Sequence, residues 1–129
     1  MSEDDSSKVV LISVEPLRRT IGPDVEAAHR DLHVWMRGSG PEPDFVAIAQ
    51  IVVPALERLL DGGRVRVNKA WEERLERTLD TAKDPSGNPF FFRGAVAEVL
   101  EIVWWALCAG PPPRGPLAAQ MSLGRVKPK

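Results

Sequence analysis

Glu26, His29 and His33 are the residues of this chain whose types and spacing come closest to chemistry, and the two histidines are the only ones it has. Spacings of three and four place all three on one face of a helix, within reach of a single ion. Imidazole and carboxylate are the ordinary ligands of a divalent transition metal. Glu-x-x-His is also the half-site of di-metal carboxylate bundles, which need the same pair again on a second helix. That second pair is missing here, and Glu98 and Glu101 are the only acids on the other long apolar segment. Turning those two glutamates toward the histidines would point the apolar face of their own helix outward, so they are not expected to complete a site. The string His-Arg-Asp-Leu-His lacks the glutamate that follows the first histidine in zinc proteases. The reading preferred on these grounds is a solvated polar face beside a core stripe, with no metal and no cofactor. A small metal-binding or metal-dependent protein using Glu26, His29 and His33 is the alternative.

Other chemistry is thinner still. Cys108 falls late in a helix with no cationic neighbour in sequence, whereas a reactive thiol favours a helix N-terminus or a nearby positive charge. No nucleophile elbow, phosphate loop or cysteine pair is present. The turn at 84–88 has the composition of a calcium loop without its twelve-residue pattern. The expectation is therefore a protein that is not an enzyme.

The elements that must position these residues are mostly helical. The longest apolar-periodic run, residues 89–110, puts Ala95, Val96, Val99, Leu100, Ile102, Val103, Ala106 and Leu107 on one broad face at 100° per residue. Glu98, Glu101 and Trp105 fall together opposite it. A helix over 23–37 starts on Pro23 and stops at Gly38, with Val25, Ala28, Leu32, Trp35 and Met36 as its core stripe. A helix over 44–60 is apolar round more than half its circumference, with Pro54 on the polar side. Asn68 is placed to cap a charged surface helix over 69–82 with a narrow apolar stripe. Residues 9–14 are β-branched and residues 64–67 alternate, which suggests a minimal N-terminal β-ribbon between them. The sum is a mostly α, four-helix bundle-like single domain. It covers residues 8–110, between a flexible acidic stretch at 1–7 and a Pro-rich basic tail at 111–129.

Length and charge narrow the function. A chain of 129 residues can bury a core without disulfides, and one cysteine cannot form an internal bridge. Net charge is −1, which offers no field for a polyanion, so nucleic acid is not expected as a partner. Arg93, Glu98 and Glu101 interrupt the longest apolar run, so neither is a membrane. The acidic first residues lack the basic region of a secretory signal, which makes the cytoplasm the expected location. What remains is Trp105, a large aromatic on a polar face that something must cover. The covering group is the chain's own Pro-rich tail, with Arg114 meeting Glu98 or Glu101, or the N-terminal strand, or another chain. The leading reading is a helical interaction module of the adaptor, immunity-type or regulatory kind. It binds a protein partner or itself through Trp105, Glu98, Glu101 and Arg114.

Overall fold

The apolar run that begins at Pro89 folds as the central helix of the domain. Asn88 caps it: its side-chain oxygen accepts from the amides of Phe90 at 2.8 Å and Phe91 at 3.2 Å. Pro89 takes the first helical position, where a missing N–H costs nothing. The computed structural model describes residues 15–108 and 121–123. In it, helices α1 (Glu15–Met36), α2 (Phe45–Asp61), α3 (Glu72–Ala82) and α4 (Pro89–Cys108) form a mostly α, bundle-like assembly in which α4 packs against each of the other three. Among the described residues, no helix is long and apolar enough to cross a membrane.

The burial of α4 is wider than one face. Phe92, Ala95, Val96, Val99, Leu100, Ile102, Val103 and Leu107 are buried as the periodicity requires, and so is Trp105. The expectation of a polar side for Trp105 is thereby corrected: only 9% of this residue is exposed. A helix apolar round most of its circumference belongs inside, so a neighbour covers the side that a helical wheel assigns to solvent.

Local signals set the other helices. Asp44 caps α2 by accepting from the Ala47 amide at 3.1 Å, and Pro54 sits exposed within that helix. Gly38 ends α1 with a positive φ of 78°, a conformation that side chains other than glycine's resist. Asn68 caps a 3-10 turn (Lys69–Trp71) that leads into α3, so the expected helix over 69–82 is split at Trp71.

Two boundaries differ from expectation. α1 begins at Glu15 and runs through Gly22-Pro23 instead of starting at Pro23. Pro16 lies in the first turn, where no backbone donor is needed, and Pro23 is exposed. Tertiary contacts hold the added turns: Leu17 is buried, and the Arg18 guanidinium donates from Nε to the Leu107 carbonyl at 2.6 Å, satisfying the open C-terminal end of α4. The strand at 65–67 also has a partner that the sequence did not single out. β1 (Val65–Val67) pairs antiparallel with β2 (Met121–Leu123), Val65 opposite Leu123 and Val67 opposite Met121, while residues 9–14 lie outside the described residues. Met-Ser-Leu repeats the apolar–polar–apolar alternation of Val-Arg-Val, which is the pattern that fixes a register.

Burial of Trp105 gives a direct test. Trp105→Ser should lower the stability of the folded chain by about 3–5 kcal/mol, the usual cost of deleting a large buried aromatic. A urea titration followed by circular dichroism measures it, and an unchanged midpoint would place Trp105 at the surface after all.

Candidate functional site

Two regions of α4 gather functional side chains, one at its middle and one at its first turn. At the middle, α1 and α4 run side by side, and Glu101 lies between the two histidines of α1. His29 Nε2 is 3.2 Å from one carboxylate oxygen and His33 Nε2 is 2.5 Å from the other. The three side chains are partly buried, His29 at 15% exposure, Glu101 at 26% and His33 at 40%. One nitrogen or oxygen atom from each of the three lies within 4.8 Å of the other two. Trp104 stacks flat on His29, ring centroids 3.8 Å apart and planes 7° from parallel, which fixes that imidazole's orientation. Burial holds the pKa of His29 below the ordinary histidine value, against the opposing pull of Glu101.

This arrangement corrects the expectation that Glu101 could not face the histidines without exposing the apolar side of its helix. α4 is enclosed on several sides at once, so one glutamate can point at α1 while the apolar residues meet α2 and α3. Glu26, by contrast, is exposed and stays outside the three-residue cluster. It lies close enough to Cys108 to add to the rise in that thiol's pKa, which burial causes in the first place. Such a thiol is held protonated and unreactive.

The second region is an open groove of about 850 Å³ between the C-terminal turn of α1, α3 and the N-terminal turns of α4. Trp35, Met36, Phe90 and Phe91 line it, and Arg74, Arg77 and Arg93 stand on its walls. Phe90 is 77% exposed, Phe91 63% and Met36 64%. The exposure of Met36 corrects its place in the expected core stripe. Among the described residues, these are the large apolar side chains that the fold leaves exposed, together with Val46. The cause is local: the Asn88 cap fixes the first turn and Phe92 takes the inward position, so Phe90 and Phe91 must face away. Two adjacent phenylalanines after an Asn-Pro helix start were readable in the sequence as a surface pair. The density of apolar residues further along the helix masked that signal.

Of the residues expected to bind a partner, Glu98 lines this groove, Glu101 meets the histidines, Trp105 is buried, and Arg114 lies outside the described residues. Among its wall residues, Arg93 pairs with Glu42 at 3.6 Å and Arg77 with Glu73 at 3.9 Å, long exposed contacts of little energy. Arg74 lies over the Trp71 ring at 5.3 Å. No protein family, curated protein or solved structure matches the chain.

Glu98 carries a pH signature. Burial raises its carboxyl pKa above the ordinary glutamate value, and the nearby Arg74 only partly offsets this. A carboxyl with a raised folded-state pKa favours the fold below its unfolded value and loses that contribution as pH rises through the folded one. Glu98→Gln should therefore raise the urea midpoint near pH 7 and leave it almost unchanged near pH 4. Parallel denaturation curves at the two pH values make the comparison.

Proposed function

We propose that this chain is a helical protein–protein interaction module, and that its docking surface is the aromatic groove at the start of α4. The observation that carries the reading is the exposed Phe90–Phe91 pair on the wall of that groove, beside three arginines. Exposed apolar residues scattered singly need no explanation, but a contiguous aromatic cluster rimmed by charge does. Aromatic residues and arginine are the types enriched where binding energy concentrates. Trp105, the residue first expected to fill this role, is replaced in it by Phe90, Phe91 and Met36.

Charge selects the partner. Three arginines and one glutamate, Glu98, line the groove, and the contacts of Arg93 with Glu42 and of Arg77 with Glu73 are long and exposed, so the wall is basic on balance. The complementary ligand is an acidic amphipathic segment of another protein, apolar on the side that meets the phenylalanines and carboxylate-bearing at its edges. Gly94 supports a close approach. It lies inside α4 on the groove, where an added Cβ would meet nothing within 4 Å, so no contact within the chain asks for glycine there.

The test uses a synthetic amphipathic peptide with Leu and Phe at helical spacing and glutamates between them, and a control peptide with lysines instead. Trp35 lines the groove and its fluorescence reports occupancy. The glutamate peptide should bind saturably and more tightly than the lysine peptide. Phe90→Ser with Phe91→Ser should weaken binding by at least about tenfold, as should Arg74→Glu with Arg77→Glu. Equal binding of both peptides, or binding indifferent to the phenylalanines, would remove this assignment. A dimer in sedimentation velocity that the phenylalanine changes dissolve would make the occupant a second copy instead.

Gly94→Ala separates folding from docking. It should stabilise the free chain by up to about 1 kcal/mol, because alanine is the better helix former and has room. The same change should weaken the peptide complex. A gain in both would mean that the ligand does not approach the helix backbone at this point.

A further inference from the structure

The geometry points to a second site, independent of the groove: His29, His33 and Glu101 form a mononuclear site for a zinc-class divalent cation that bridges α1 and α4. Both imidazoles present Nε2 to the same carboxylate, one from each oxygen, and the set lies within 4.8 Å. Ligands of a tetrahedral zinc ion at about 2.0–2.1 Å stand about 3.3 Å apart, so the cluster needs side-chain shifts on the order of 1 Å to accept one. Two nitrogens and a carboxylate oxygen match the preferences of zinc and its first-row neighbours, whereas calcium and magnesium favour an all-oxygen shell.

Three further observations favour a bound cation over a plain hydrogen-bonded cluster. The histidines come from successive turns of one helix and the glutamate from another, so ligand positions are set by rigid backbone and not by loops. His29 is stacked on Trp104, which fixes the plane of the ring beside Glu101. The site is also neither sealed nor fully wet: with His33 at 40% exposure, solvent can reach a fourth position, and among the described residues no fourth protein ligand joins the three. Each neutral imidazole then ligates through Nε2 and keeps its proton on Nδ1, and Glu101 supplies the negative charge. A water molecule completes the shell, the arrangement of a zinc site with an open position.

The experiment is a titration of the metal-stripped full chain with Co(II), read by visible absorption, and with Zn(II), read by calorimetry. One equivalent of Co(II) should produce the d–d bands of a low-coordinate site, and Zn(II) should displace it with affinity in the micromolar range or tighter. Glu101→Gln keeps the shape and hydrogen-bonding capacity of the side chain, so it tests ligation without endangering the fold. It should weaken binding at least about tenfold, and His33→Ala should do the same. Cys108→Ser should leave binding unchanged. No saturable binding in the micromolar range would overturn the site, as would binding that survives both ligand changes. Binding lost in Cys108→Ser but kept in Glu101→Gln would assign the metal to the thiol and overturn it equally.

Discussion

Enclosure of α4 by three other helices is the constraint from which the remaining features follow. A helix in that position has little surface to give to water, so every charge on it must reach an edge or meet a partner from a neighbouring element. Arg93 reaches Glu42 in the α1–α2 connection. Glu98 lies half-buried within the field of Arg74 of α3, and Glu101 meets the two histidines of α1. Each charged residue of the helix is thus matched by a different piece of the chain. An unpaired buried carboxylate costs several kcal/mol, so these matches accompany the packing and are not decoration on it.

The same constraint explains what the sequence disclosed. Caps and stops are local chemistry, and Asp44, Asn68 and Gly38 act where their types say they should. α2 and the inward side of α4 were legible because a 3.6-residue apolar period needs no knowledge of the partner. Trp105 and Glu101 were misplaced because a helical wheel divides a helix into one core side and one water side. A central helix has several interfaces, and which residue meets which neighbour depends on the neighbours' positions. The start of α1 was hidden for a related reason. Pro16, Gly22 and Pro23 argue against a helix locally, and the opposing contacts, Leu17 in the core and Arg18 on the Leu107 carbonyl, are tertiary. The pairing of β1 with β2 was not legible in the sequence, because a three-residue strand carries too little pattern to single out its partner.

The groove and the histidine cluster sit on one helix without sharing a residue. Phe91 and Glu101 are separated by about 15 Å of rise along α4, far enough for substitutions at one to act independently of the other in a rigid scaffold. Their chemistry differs in kind as well. One is a shallow apolar surface whose energy lies in excluding water. The other is a small polar cluster whose energy lies in charge and ligand geometry.

What connects them is α1. His33 belongs to the last turn of that helix, as do Trp35 and Met36, which form one wall of the groove. Trp35 also packs edge-on against Phe45 at 5.5 Å, so the wall is held from the α2 side. On the α4 side His33 meets Glu101 and the neighbouring Leu32 is buried in the core, so the turn is held at more than one point. The groove's walls are therefore placed by the packing of α1 and α3 against α4 and not by contacts across the groove. An open groove is left unfilled by its own side chains, so its width is fixed by the elements around it. Here the buried apolar contacts of α4 with its neighbouring helices meet that requirement, because they join the helices whose ends form the walls.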